Sequence, residues 1–280
     1  MKKSLLAAAI AAALSLQAFA TDTPMIISTG AKDKSYYPMG MNIKQLMPSR
    51  DKVEVIPSKG SLENIENVLS GKANVALTFA DAYAYSMKKN PDVKKLEIIG
   101  SLGKGCLYTT VSKTGKIKSD QDLQKESVRI AIGKEGAGSN ATWKYMSILE
   151  PGFAKAMTFE KGDALAMSKL LSNSDDKYDA VLQMQTPSTD NSLVLDVLAA
   201  NSQLTFLPIK DWDLNNKLPN GKAVYTFENI ELTKGLFNQT LDTICTDTLV
   251  IADPNSLSEE QMEDLANIIM KQANNILKVK

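Results

Sequence analysis

Small and polar residues recur at three places where the sequence predicts that a strand ends and a helix begins. These turns cover residues 29–37, 59–61 and 135–139. The first N–H groups of a helix lack partners within the helix and bind anions, and small side chains let a carboxylate or phosphate approach closely. The sequence therefore predicts a site for a small carboxylate. The candidate ligand-binding residues in these turns are Thr29, Gly30, Ser35, Tyr36, Tyr37, Ser61, Gly136, Ala137, Gly138 and Ser139.

Several of these residues also have a purely structural interpretation. Gly136, Ala137 and Gly138 are equally typical of an ordinary strand-to-helix turn, in which glycine supplies a positive φ. Tyr36 and Tyr37 can stack on a ligand or donate a hydrogen bond to it. Either tyrosine can equally lie in the core with its hydroxyl at the surface. The sequence leaves both alternatives open.

Two more side chains are predicted to face the same crevice, because ligands of open α/β sheets bind at the carboxyl ends of the strands. Asp81 follows a buried strand, where its carboxylate could receive a ligand ammonium group or cap the next helix. Gln183 comes at the end of another buried strand. We expect it to face the crevice, the alternative being a solvated strand end.

The 280-residue chain contains no histidine. Ser-His-Asp hydrolysis and histidine-ligated zinc are therefore excluded, since histidine is the commonest general base and metal ligand. The other candidate nucleophiles show no catalytic spacing, so we expect a binding protein and not an enzyme, with no cofactor and no metal. Basic and acidic residues number 32 each, without long runs of one sign. A nucleic-acid partner is not expected, because such proteins usually carry a basic patch.

The N-terminus has the three regions of a secretory signal. Lys2 and Lys3 precede an apolar run over residues 5–16, and Ala18-Phe19-Ala20 places small residues before a cut at Thr21. The pattern predicts a cleaved signal peptide over residues 1–20 and a periplasmic protein. The alternative is an apolar N-terminal helix of the mature fold.

The elements that must position the site alternate between strands and helices. Buried strands are predicted at 25–28, 52–57 and 74–79, with helices over 36–47 and from Ser61 as the helix cap. This alternation is typical of an α/β fold with a largely parallel sheet. A second round begins near Leu107. Its predicted elements are strands at 107–112, 128–132, 157–160, 178–184 and 204–209, helices over 163–171 and 193–200 and after the 133–139 loop, a surface loop at 211–221, a strand at 248–252 and a C-terminal helix from Ser256.

Several segments resemble the TAXI-type solute receptors of tripartite ATP-independent periplasmic (TRAP) transporters. The most specific is Thr29-Gly30 followed by Tyr36-Tyr37-Pro38-Met39-Gly40. Further segments in the family's order lie at 60–64, 70–81, 108–123, 133–142 and 248–253, so the resemblance spans most of the mature chain. The sequence departs from the family at Lys32, Asp33, Lys34 and Ala137, all in or near the expected cleft.

The resemblance implies a two-lobed type II periplasmic binding protein with two hinge crossovers. Lobe 1 is expected to contain residues 21–105 plus 248–280, and lobe 2 residues 106–247. A monomer of this type binds a small carboxylate, such as an amino acid or dicarboxylate, between its lobes and delivers it to the subunits of a membrane transporter. Two other outputs fit the same fold, namely a periplasmic sensor domain and an ABC importer.

The resemblance also bears on Cys106 and Cys245, the two cysteines of the chain. They fall on the two expected hinge strands, which run side by side in type II binding proteins. We therefore expect a disulfide between them. The alternative is a pair of buried free cysteines.

Overall fold

The computed structural model describes residues 23–234 and 238–278. The predicted signal peptide lies outside the described residues. Within the described ranges, no helix is both long enough and apolar enough to cross a membrane.

The first half of the fold is a parallel three-stranded unit with helices between its strands. The elements are β1 (Met25–Ser28), α1 (Tyr36–Leu46), β2 (Val53–Ile56), α2 (Ser61–Leu69), β3 (Val75–Phe79) and α3 (Ala80–Lys89). Strand β1 pairs with β2 on one side and β3 on the other. Strands β1 and β3 are largely buried and rich in aliphatic residues, as expected for parallel strands covered on both faces, whereas β2 is only partly buried.

A long strand leads into the second half, which repeats the same plan. The elements are β4 (Glu97–Ser112), β5 (Arg129–Ala131), α4 (Gly138–Leu149), β6 (Met157–Phe159), α5 (Asp163–Leu170), β7 (Ala180–Gln185), α6 (Ser192–Ala199) and β8 (Leu204–Phe206). Strand β5 lies between β6 and β7 and is parallel to both.

The chain then returns to the first half through β9 (Thr226–Glu231), β10 (Thr240–Ala252) and α7 (Glu259–Ile276). Helix α7 begins with a capping box in which Ser258 and Gln261 exchange hydrogen bonds. Leu265 and Ile269 are buried on its inner face, and Ile269 packs against Gly100 of β4. The C-terminal helix therefore covers the sheet beside the first half.

Strands β4 and β10 join the two halves. They run antiparallel at the middle of one sheet, whose order is β2-β1-β3-β10-β4-β7-β5-β6. Cys106 stands directly opposite Cys245, with their Cα atoms 4.0 Å apart, and the two sulfurs form a disulfide. The predicted disulfide and the predicted two-lobed α/β architecture with two crossovers are confirmed.

Three local expectations differ from the structure. Strand β4 begins at Glu97, ten residues before the predicted strand at 107–112. Strand β9 was not predicted, because its charged and polar residues pair with β10 outside the main order of the sheet. Helix α2 is capped by Gly60, and the Ser61 hydroxyl instead accepts a hydrogen bond from the Phe79 N–H at 3.3 Å. The lobe boundaries at 105/106 and 247/248 stay a prediction.

Candidate functional site

Three helices begin close together between the two halves of the fold. Helices α1 and α2 belong to the first half and start at Tyr36 and Ser61, whereas α4 belongs to the second half and starts at Gly138. The Phe79 ring links the three starts. It packs edge-on against Tyr36, with ring centroids 5.3 Å apart, its N–H is bonded to Ser61, and its edge abuts Gly138. We call this region the interlobe cleft.

The Tyr36 hydroxyl is a buried polar group of the interlobe cleft without a hydrogen-bond partner among the described residues. Ser61 and Thr248 are its polar neighbours, yet it makes no hydrogen bond to any described residue. The side chain is 7% exposed. Burial raises the pKa of Tyr36 well above its ordinary value, so the phenol stays protonated and can donate. A buried donor left without a partner costs free energy unless a ligand or water satisfies it.

The interlobe cleft is closed in this structure. A Cβ added to Gly60, before α2, would lie 2.9 Å from the carbonyl oxygen of Gly136, before α4. The 59–61 and 135–139 turns are therefore in contact across the halves. Both glycines have positive φ, 134° and 82°, a conformation that glycine adopts without strain.

Two more glycines make room for the Phe79 ring. A Cβ added at Gly105 of β4 or at Gly138 would lie 2.5 Å from a ring carbon. Met184 of β7 reaches both glycine positions, at 3.4 and 3.6 Å from the added Cβ atoms. We call the space bounded by Tyr36, Gly105, Gly138 and Met184 the aromatic slot. Phe79 fills it.

We expect Gly138→Ala to destabilise the closed arrangement. Since the backbone of Gly138 is not in the left-handed region, the new methyl group acts only by its contact with Phe79. Overpacking of this kind costs about 1–3 kcal/mol, which chemical denaturation will measure. Gly162→Ala is the matched control, because Gly162 also lies at the start of a helix, as the N-cap of α5, but its added Cβ meets its nearest neighbour at 3.5 Å. Equal losses in the two variants would contradict the assigned contact.

Asp81 connects the halves by hydrogen bonds. It lies in the first turn of α3, is fully buried, and its Oδ2 accepts hydrogen bonds from Thr142 Oγ1 at 2.6 Å and Tyr225 Oη at 3.1 Å. Its Oδ1 accepts from the Ala82 N–H at 2.7 Å. Phe79 is the N-cap of α3, so Asp81 does not cap that helix. Both carboxylate oxygens already have partners within the protein.

Burial dominates the electrostatics of Asp81. It raises the pKa of this carboxyl from 3.8 to about 6, although the hydrogen bonds from Thr142, Tyr225 and Ala82 act in the opposite direction. The titratable groups that interact with it are the buried tyrosines Tyr36, Tyr145 and Tyr225. Its ligand-binding role stays a prediction, while its contacts make it a link between α3 and α4.

The remaining candidates of the first turn have varied surroundings. Thr29 is buried and donates its hydroxyl proton to the Ile56 carbonyl at 2.9 Å, so it stabilises the turn. Gly30 is buried beside it, whereas Ser35 is exposed and its side chain makes no capping bond. Tyr37 is half-buried, with Lys32 Nζ 5.9 Å from its ring centroid. Of the predicted pair, Tyr36 is therefore the tyrosine in the cleft.

In the third turn, Ser139 is buried next to Gly133, and Ala137 is the N-cap of α4. Gly136 has positive φ and touches Lys59 of the second turn. The structure thus brings the second and third turns into contact. Their ligand-binding role stays a prediction.

Gln183 lies on the sheet face opposite to Met184. It stands across from Tyr108 of β4, and directly opposite residues share a face. Met184 stands across from Leu107 and reaches the aromatic slot. The Gln183 Oε1 is buried and has no partner among the described residues. The structure places Met184, and not Gln183, against Phe79.

The sequence did not reveal Phe79, Thr142 or Tyr225 as site residues. Phe79 ends an apolar strand and is indistinguishable from a core residue in sequence. Thr142 and Tyr225 lie 61 and 144 residues after Asp81 in the chain, so only the fold brings them together. The Tyr36-Tyr37-Pro38 motif was the sequence signal that identified a residue of the cleft, Tyr36.

Two cavities lie away from the interlobe cleft. One, of about 280 Å³, is lined by residues such as Tyr85 and Trp143. The other, of about 390 Å³, is lined by residues such as Tyr83 and Pro219. No predicted site residue lines either cavity. In this structure the 59–61 and 135–139 turns of the predicted site are instead in contact with each other.

One group of side chains has the composition of a metal centre. Glu228 places a carboxylate oxygen within 4.8 Å of the sulfurs of Cys106 and Cys245. The two sulfurs are joined to each other, so neither is a thiolate, the form in which cysteine binds metals. Glu228 instead pairs with Lys104.

Two lobes and a central pair of crossover strands define the fold of type II periplasmic binding proteins. Solved structures support this fold. YhfZ from Shigella flexneri is 12% identical, with TM-score 0.52 over 91% of this chain and 87% of that chain. The GluR0 ligand-binding core from Nostoc punctiforme, solved with L-glutamate, is 14% identical, with TM-score 0.50 over 91% of this chain and 97% of that chain.

The family follows from the sequence itself. Residues 27–280 match the NMT1-like family, and the chain belongs to that family. No curated protein sequence matches the chain. The predicted fold and the membership of this family are therefore shown, while the receptor role and the periplasmic location stay predictions.

Proposed function

We propose that this protein is a periplasmic receptor that binds a small carboxylate in the interlobe cleft and delivers it to a TRAP-type membrane transporter. One observation carries the proposal. Where the starts of α1, α2 and α4 come together around Phe79, the Tyr36 hydroxyl is buried beside Ser61 and Thr248 and has no partner among the described residues.

The chemistry of this meeting point favours an anion. Each helix start carries unpaired N–H groups and the positive end of the helix dipole. The first turns of α1 and α4 contain no acidic residue that would compete for them. A carboxylate placed here accepts the Tyr36 hydroxyl as well as backbone donors. Hydrogen bonds to a charged acceptor are worth more than neutral ones, about 1.5–3 kcal/mol.

Binding requires the cleft to open and close. The halves are joined through β4 and β10, and the contacts of Phe79 and Asp81 with the second half must break for a ligand to enter. A ligand favours closure only by the difference in its affinity for the two states. The closed, loaded form is the one we expect the transporter to bind.

The transporter class rests on the segment from Thr29 to Gly40, which resembles the TAXI-type receptors. We propose a monomer that contacts the transporter subunits. A receptor for a sensor domain or an ABC importer would have the same cleft.

Delivery is tested with vesicles that carry a TRAP transporter. Uptake of labelled ligand only when this protein is added would support delivery. If a ligand is confirmed but no uptake is seen, a receptor for a sensor domain or for an ABC importer is favoured.

The first test is a thermal-shift screen of the mature protein, refolded to remove carried-over ligand. Amino acids, dicarboxylates, 2-oxo acids and neutral sugars are compared. We expect the melting temperature to rise with the concentration of a carboxylate class and not with sugars. A ligand at 100 times its Kd stabilises the native state by about 2.7 kcal/mol. No rise with any carboxylate would contradict the proposal.

Tyr36→Phe separates binding from stability. The hydroxyl has no partner in the closed form, so its removal should leave the unfolding free energy unchanged or raise it slightly. Affinity for the ligand should fall about 10- to 100-fold, the worth of a hydrogen bond to a charged group. Tyr83→Phe is the control, because the Tyr83 hydroxyl donates to the carbonyls of Val93 and Leu96, which are not residues of the interlobe cleft. That variant should lose stability and keep its affinity.

A further inference from the structure

The surroundings of Phe79 extend the proposed function and rest on it. We propose that the aromatic slot, which the Phe79 ring fills in this structure, is the space that receives the side chain of the ligand. The ligand is then a carboxylate with a flat or branched apolar side chain, which takes the place of the ring when it binds.

The aromatic slot exists because two side chains are missing from its walls. Gly105 and Gly138 have backbone angles that other residues adopt, so backbone geometry does not require glycine at either place. A Cβ at either position would come within 2.5 Å of the ring. The glycines therefore keep a flat space open between β4 and α4. Phe79 fills that space in the structure.

The ring belongs to one half and is held by the other. Phe79 ends β3 of the first half, while Gly138 and Met184 belong to the second half. Opening the halves removes one wall of the slot and leaves the ring in contact mainly with Tyr36. The backbone of Phe79 is fixed by the hydrogen bond to Ser61. Its side chain can still change rotamer about χ1.

A polar group stands at the rim of the slot. The Tyr36 hydroxyl is more than nine-tenths buried and has no partner among the described residues, and the ring of the same tyrosine touches Phe79. A ligand whose carboxylate meets this hydroxyl and the helix starts would extend its side chain toward the slot. The slot accepts a group of phenyl size with no polar atoms, since its walls are glycine backbone, a methionine and the Tyr36 ring.

Competition by Phe79 lowers the apparent affinity of the wild type. The binding-competent state, with the ring displaced, is only a fraction of the population, and the apparent Kd rises by the inverse of that fraction. Removing the ring should strengthen the binding of phenylacetate and 4-methyl-2-oxopentanoate by at least about tenfold. Succinate, which has no apolar side chain, should change by less than about threefold.

Isothermal titration calorimetry of the mature protein tests this competition. Phe79→Ala empties the slot, and Phe79→Leu gives a smaller gain if the alanine variant does not fold. Phe153→Leu is the matched control, because Phe153 is a buried phenylalanine in a T-shaped pair with Trp143, with centroids 5.4 Å apart. It loses similar packing without touching the slot.

The outcomes separate the two proposals. A tenfold gain for the two apolar acids in the Phe79 variants alone supports the competition. If the wild type binds one of these acids and the Phe79 variants bind it equally or more weakly, the role of Phe79 is overturned. The receptor proposal then still stands. A gain of the same size for succinate overturns the assignment of an apolar side chain. No binding of any carboxylate to wild type or variants overturns the receptor proposal, and this inference with it.

Discussion

Replacing both cysteines by alanine should lower the free energy of unfolding by about 2–5 kcal/mol, the usual range for a native disulfide. The bond joins residues 139 positions apart, so it restricts a large loop of the unfolded chain. Longer loops lose more conformational entropy when they are closed, and the folded state is stabilised accordingly. Cys106 and Cys245 are also buried at 0% and 1% exposure, so their replacement adds a small packing loss.

Equilibrium unfolding in guanidinium chloride will measure this loss. The control is wild-type protein unfolded in the same denaturant with a phosphine reductant present, because it loses the disulfide but keeps both sulfurs. We expect most of the destabilisation to appear in both samples. If the reduced wild type unfolds at the same denaturant concentration as the oxidised protein, the disulfide contributes nothing to stability and the expectation is wrong.

Asp81→Asn should remove a large pH dependence of stability. The carboxyl pKa is raised from 3.8 to about 6 by burial, and one pKa unit corresponds to about 1.36 kcal/mol. A raised carboxyl pKa means that the folded state binds the proton more tightly than the unfolded state. The contribution of Asp81 is therefore most favourable below the unfolded pKa of 3.8 and is lost as the pH rises toward 6.

The difference between variant and wild type isolates this contribution. From pH 4 to pH 7, the stability of Asp81→Asn relative to wild type should rise by about 2 kcal/mol. Urea unfolding across this pH range is the measurement. The asparagine keeps the size of the aspartate, and its oxygen can accept from the Ala82 N–H. Its amide group then donates to the Thr142 and Tyr225 hydroxyls, which must turn to accept.

Asp122→Asn provides a control of opposite sign. A hydrogen bond from Lys125 and those from the backbone at Lys118 and Ser119 hold the pKa of Asp122 below its usual range. Its contribution is present above the unfolded pKa and is lost in acid, so this variant should become less stable relative to wild type as the pH rises. A flat curve for Asp81→Asn would show that the carboxylate is already well solvated.

Much of the fold could be predicted because its signals are local. The strands β1, β2, β3, β5 and β7 are short and largely apolar, and helical patterns separate them, so their order along the chain indicated an α/β sheet. The C-terminal helix was also evident from its start. Strand β9 was missed because its residues alternate weakly and it pairs only with β10.

The candidate site was predictable only in part, because its decisive contacts are between distant residues. The first residues of the three helices could be chosen from sequence, and Tyr36 was among them. The face of Gln183 depends on the register of β7 against β4, which sequence does not fix. The partners of Asp81 come from α4 and from the residue before β9. Phe79 has a role only because Gly105 and Gly138 are on the other side of it.

The covalent loop between Cys106 and Cys245 has a practical consequence for the chain. Every peptide bond between these two residues lies inside a closed ring, so a protease that cuts one of them leaves two fragments still linked. On a gel without reductant, the nicked protein should migrate as one species, and with reductant it should separate. A fluorescent domain inserted at the exposed turn 219–221 would likewise leave Cys106 and Cys245 joined, which makes that turn a suitable place to build a reporter.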